Sequence, residues 1–326
     1  MSGSAAQAVP AIANLDTDNV RDIICYMNSR RNVDTTPQNE VVQFVAMFFF
    51  IILSTLSFAF PIIPPAKLPF KVPGHVYDFF RFFGGGVLIA TAFVHLLDSA
   101  YESIGPNTCV GMSYGWAEFS WPPAIAMTSA LLFFMFEVST ELWAKAVTLT
   151  DAEKAQYTIP STARALWAQF TSFLVFEITI IMHAVVIGLN MSTVSEKSMM
   201  YFAFVFFTIF EGLSLGARLN AVQLPKSMAW AWIPCVLCLF YSFATPIAMT
   251  VGIAQGYDRH AFHPSVASGV LDSISAGIML YVSFVDVLAR DFMFNTDRPR
   301  STLGLGLMLG DLFMGVILMA IMGKWK

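Results

Sequence analysis

Eight runs of about 20 predominantly apolar residues follow one another along this 326-residue chain, and that is the length an α-helix needs to cross the hydrocarbon core of a bilayer. They cover residues 41–63, 79–97, 121–142, 165–191, 198–219, 227–252, 266–289 and 302–322. In lipid the backbone must satisfy its own hydrogen bonds, so such runs are helices rather than loops or open strands. Only 12% of residues are charged, against about a quarter in a soluble domain. The expected fold class is therefore an all-α integral membrane protein of eight transmembrane helices. Residues 41–326 form one membrane domain with short connections. Residues 1–40 are polar and contain no apolar stretch. They read as a disordered extracytoplasmic tail rather than a cleavable signal peptide, with the first apolar run as an uncleaved anchor.

Lysine and arginine set the orientation, because they collect on the cytoplasmic side. With the N-terminus outside, eleven of them fall on the inner side and seven on the outer side. Three of those seven lie in the N-terminal tail, and the outer loop between spans two and three has none. Both termini are thus expected outside. A net charge of -4 without a basic cluster gives no footing for nucleic acid. Cys235 and Cys238 sit in an apolar run and read as packing residues, while Cys25 and Cys109 lie in polar segments where a bridge could form on an oxidising side. The sequon at Asn190 abuts the membrane and is not expected to be glycosylated. No HExxH, GxSxG or paired catalytic aspartate motif is present, so an enzyme is not expected.

The chemistry must lie with ionisable groups inside the membrane, which are costly there and mark function. They are Glu137, Glu141, Glu177, Glu211, Asp272, Asp286, Asp311, His95 and His183. Few lysines or arginines sit at that depth to neutralise the acids. Imidazole with carboxylate suits a divalent cation such as zinc, iron(II) or manganese. The segments His183-Ala-Val-Val-Ile-Gly188 and Phe207-Thr-Ile-Phe-Glu211-Gly212 align on spans four and five, which a short loop joins. These two spans are expected to pack as an antiparallel hairpin, with His183 facing Glu211 near mid-membrane. A shared metal ion and a structural hydrogen bond between the two fit that spacing equally well.

Three further groups follow from helical spacing. His95, Asp98 and Glu102 share one face at the outer end of span two, where a stripe of acid could draw cations to an entrance, or form a solvated helix end, the reading preferred for Glu102. Glu137 and Glu141 share a face of span three near its inner end and read as interfacial acids in preference to an exit path. Asp272 and Asp286 are explained by interhelical hydrogen bonds as well as by metal, and Asp311 reads as structural.

At these residues the chain resembles the Zrt/Irt-like (ZIP) family of zinc and iron transporters, in a form similar to its fungal members. The resemblance covers about residues 40–326. It rests on the glycine-rich second span from Phe83 to Phe93-Val94-His95, and on the outer Cys109…Trp116…Trp121-Pro122 loop. Glu177 lies six residues before His183 in span four, and Phe210-Glu211-Gly212 stands in span five. Ser275-Ala276-Gly277 through Asp286 in span seven and the terminal Gly323-Lys324-Trp325 complete it. The resemblance implies zinc transport toward the cytosol across the plasma membrane, with both termini extracellular. It implies no resident cofactor, since the metal is the substrate, and it leaves a homodimer open. It implies metal ligands at His183 and Glu211, with His95, Asp98 and Glu177 as auxiliary residues. The chain departs from the family pattern at Phe207 and Thr208, where His-Gln is usual, at Ala184, where Ser or Asn is usual, and at Asp98, where Pro is usual. Iron(II) or manganese transport, or a metal-sensing member that does not transport, are the alternatives those departures raise.

Overall fold

The computed structural model describes residues 40–63, 74–112, 116–151, 161–192, 199–222, 232–255, 262–294 and 302–323. The expected N-terminal tail lies outside the described residues. Among these residues all regular structure is helical. Helix α1 is Glu40–Ala59. Helix α2 is Gly74–Ala90, carried on through a π-helical stretch, Thr91–Leu97, into Asp98–Ile104. Then come α3 (Trp121–Asp151), α4 (Ser161–Met191), α5 (Met199–Ala221) and α6 (Ile233–Gln255). Helix α7 is Phe262–Val282, carried on through a second π-helical stretch, Ser283–Phe294, and α8 is Thr302–Met322.

Each apolar run therefore became one helix. Six of the described helices are long and apolar enough to span a membrane, and Phe44–Ala59 forms a shorter apolar one. The ends differ most at α2 and α3, which run past their apolar stretches. A run of apolar residues marks only the part in lipid, and the helix continues for as long as its backbone ladder holds.

The burial pattern suits a lipid solvent. Large apolar side chains such as Leu132, Phe240, Leu303 and Ile317 point outward. Small polar ones, including Ser57, Thr91, Ser214, Ser273 and Ser283, are buried between helices. Without a hydrophobic force between helices, close backbone approach at small residues holds the bundle together. Helices α2 and α8 illustrate this reciprocally. A Cβ on Gly86 would collide with the Leu312 carbonyl of α8, and a Cβ on Gly315 would collide with the Phe83 carbonyl of α2.

The expected α4–α5 hairpin is not what forms. Helix α4 packs mainly on α6, with further contacts to α7 and α3, while α5 packs on α1 and α2; α4 and α5 scarcely touch. The glycines account for this. Gly188 of α4 lies against the Thr245 carbonyl of α6, and Gly216 of α5 lies against the Phe58 carbonyl of α1. A short connection constrains only the ends of two helices, and complementary surfaces decide their neighbours.

Candidate metal site

The polar interior of the bundle divides into two neighbouring groups. The first gathers around His183 on α4. Its Nδ1 lies 3.3 Å from Oδ1 of Asp272 on α7, and both residues are buried. In the tautomer that donates from Nδ1 to this carboxylate, Nε2 keeps its lone pair, the nitrogen a metal would take. The π-helical stretch of α2 that carries His95 also packs on α7. One extra residue per turn is what re-aims a side chain, and such insertions recur at functional sites.

Phe207 of α5 joins these elements. Its ring centroid is 6.0 Å from that of His183, at an interplanar angle of 79°, and 6.3 Å from that of His95. The ring is buried. One phenyl ring from α5 thus stands in ring contact with imidazoles from α2 and α4.

The second group surrounds Glu211, one turn along α5 from Phe207. The Tyr241 hydroxyl of α6 donates toward the Thr208 carbonyl at 2.9 Å and reaches Glu211 Oε2 at 3.3 Å. Glu211 Oε1 is buried with no hydrogen-bond partner among the described residues. A narrow cavity opens there, lined by Ser54 of α1, Ala184 of α4, Thr208 and Glu211 of α5, and Ser242, Thr245 and Pro246 of α6. It holds about one water-sized body. Pro246 has no N–H, so the Ser242 carbonyl four residues earlier loses its helical donor and becomes a further oxygen near the cavity. Thr55 Oγ1 also sits 3.0 Å from Ser242 Oγ.

His183 and Glu211 do not face each other directly. His183 turns to Asp272 and Glu211 to Tyr241, because their helices chose different neighbours. They approach through Phe207 and through Ala184, the residue after His183, which lines the cavity of Glu211. Among the described residues no three His, Cys, Asp or Glu side chains converge as a ready-made ion cage.

Of the auxiliary residues, Glu177 is the most deeply buried. Neither of its carboxylate oxygens has a hydrogen-bond partner among the described residues. It lies on α4 toward the N-terminal end from His183, about 9 Å along the axis at the usual rise. His95 is half-buried, whereas Asp98 and Glu102 are exposed toward the C-terminal end of α2. Glu137 accepts a hydrogen bond from the Tyr281 hydroxyl at 2.7 Å, which fits its reading as a non-ligand. The side chains of Glu141 and Asp286 lie outside the described residues. Beyond the C-terminal end of α2, Cys109 is disulfide-bonded, and Trp116 Nε1 donates to the Ile104 carbonyl at 3.0 Å. Cys25 lies outside the described residues. Cys235 and Cys238 are free thiols, the first exposed and the second in the core.

Sequence reasoning missed two partners, Asp272 for His183 and Tyr241 for Glu211. Asp272 was visible as an acid at membrane depth, roughly as many turns from the outer helix end as His183. Tyr241 carried no signal beyond matching depth in the sixth apolar run.

A family model described as "ZIP Zinc transporter" matches residues 41–165 and 148–323. Among curated proteins the chain is similar to zinc-regulated transporter 1 of Saccharomyces cerevisiae, 35% identical over 86% of each chain. It is 29% identical to zinc-regulated transporter 1 of Schizosaccharomyces pombe, over 77% of this chain and 76% of that one. Zinc transporter 3 of Arabidopsis thaliana is 31% identical over 74% of this chain and 72% of its own length.

Proposed function

This chain belongs to the ZIP zinc transporter family, and from that premise we propose that it carries zinc into the cytosol across the plasma membrane, with both termini outside. The observation that carries the reading is the state of its buried acids. Glu211 and Glu177 hold carboxylate oxygens inside the bundle with no hydrogen-bond partner among the described residues. An uncompensated buried carboxylate costs several kcal/mol. A divalent cation arriving beside it offsets that cost, so a path of such acids is suited to a passing ion and poorly suited to simple packing.

The residues then act in order of depth. Asp98 and Glu102, beside an outer loop with no lysine or arginine, raise the local concentration of cations at the entrance. His95 and His183 offer imidazole nitrogens at the next level. Asp272 holds the His183 ring by its Nδ1–H, so that Nε2 is the ligand atom. Glu211, with the hydroxyls and the freed carbonyl around its cavity, replaces water oxygens as the ion sheds its shell. Glu177 receives the ion on the cytosolic side. Net movement follows from rocking one group of helices against another around the fixed ligands, which opens the path to each side in turn.

A second reading is favoured by the oxygen-rich surroundings of Glu211 and by the phenyl ring at 207. Harder ions such as manganese or iron(II) tolerate oxygen ligands better than zinc prefers them. One experiment addresses both. Cells lacking their own zinc uptake express wild type, His183→Ala or Glu211→Ala, and radiolabelled zinc and iron accumulation is measured. The expected outcome is zinc accumulation well above empty vector for wild type, reduced at least about tenfold by either substitution. Accumulation equal in all four lines for both metals would refute transport. Iron alone accumulating would establish the second reading.

A further inference from the structure

Phe207 contacts two candidate ligands from different helices at once. Its centroid stands 6.0 Å from the His183 ring and 6.3 Å from the His95 ring. It is 3% exposed and belongs to an apolar cluster with Phe50, Phe83 and Met249. Two imidazoles that share a zinc ion each place a nitrogen about 2.0–2.1 Å from it. The metal and its remaining ligands then need the space between the rings. Here carbon fills contact positions on both rings.

Resting on the transport reading above, we propose that Phe207 is the residue that sets ion affinity and selectivity. Its ring keeps His95 and His183 from chelating one ion, so they serve as successive ligands rather than a joint site. The chemical logic is that of conduction. A path must bind an ion strongly enough to take it from water and weakly enough to release it. Two imidazoles closing on one ion, with Asp272 orienting one of them, would make a zinc trap. A phenyl ring at that position removes one ligand from each stopping point. It also favours ions that accept fewer nitrogen donors, because the shell must then be completed by the carboxylate and hydroxyl oxygens one turn deeper.

The test separates this role from core packing. Purified full-length protein is titrated with cobalt(II), whose visible absorption reports nitrogen-rich tetrahedral coordination. The proteins are wild type, Phe207→Ala, Phe207→Val, and each of these combined with His95→Ala. Both smaller side chains are expected to tighten cobalt binding at least tenfold and to strengthen the visible bands, and adding His95→Ala is expected to abolish the gain. In uptake assays the same two single variants lower KM and lower the maximal rate together. Phe207→Val leaves less empty volume and serves if Phe207→Ala does not fold. Binding unchanged from wild type in the folded variants, or a gain that survives His95→Ala, would overturn the proposal. The titration does not depend on transport. A wild type that moves no metal, with a His95-dependent gain in cobalt binding, refutes the transport reading and leaves the role of Phe207 standing.

Discussion

Asp272 pairs with His183, across two helices, at 3.3 Å. That contact does two things for a metal site. It fixes the tautomer, and it raises the basicity of the other ring nitrogen. Removing such a partner costs about 10–100-fold in metal affinity. Asp272→Ala is therefore expected to raise the KM for zinc by that factor, with a smaller change in maximal rate at saturating metal. Asp272→Asn still accepts from Nδ1–H through its amide oxygen and should recover much of the loss. Concentration-dependent uptake of radiolabelled zinc reads both. Equal damage by the two substitutions, confined to the maximal rate, would assign Asp272 to folding instead. Glu137 shows the contrasting case. It is an intramembrane acid whose oxygen already accepts from Tyr281 at 2.7 Å, and nothing in that pairing calls for an ion.

At the level of helices, existence and order were legible in the sequence, and neighbours were not. Hydropathy reports how deep a segment sits, because each apolar run must fill the membrane. It says nothing about which face meets which helix. Ala184, next to His183, and Glu211 line one cavity, but the expected α4–α5 hairpin gave way to α4–α6 and α5–α1 contacts. The information that decided this lies in single glycines. Gly188 admits the Thr245 backbone, and Gly86 with Gly315 admits α8 against α2. Their importance was invisible until the carbonyl each one receives was known. The π-helical turns around His95 were equally hidden, since no residue in Thr91–Leu97 announces an extra residue per turn. Gly86→Leu is expected to force α2 and α8 apart and to cost about 1–3 kcal/mol or more, as overpacking does. Thermal melting in detergent should show a lowered midpoint. Gly310→Leu, where nothing lies within 4 Å of the added atom, should leave the midpoint unchanged. Equal effects of both would mean that the glycines are not what sets the packing.

The whole molecule is a bundle whose outside is apolar and whose inside holds acids with few lysines or arginines at their depth in the sequence. That inversion of a soluble protein was readable from composition. Membership of a zinc transporter family rests on a family model that spans residues 41–165 and 148–323, and the motifs behind the resemblance are spread over several helices rather than gathered in any one of them. The bundle delivers imidazole and carboxylate from α2, α4, α5 and α7 to neighbouring positions without closing them into a cage. An ion that visits is held by these positions in succession, and its different affinity for the two arrangements of the helices is how ligand binding and helix movement become coupled. Zinc K-edge absorption on the purified, zinc-loaded protein tests the account most directly. The account predicts a shell of nitrogen and oxygen ligands in which His183→Ala reduces the imidazole scattering and Glu211→Ala shifts the oxygen contribution. A zinc spectrum that neither substitution alters would contradict it.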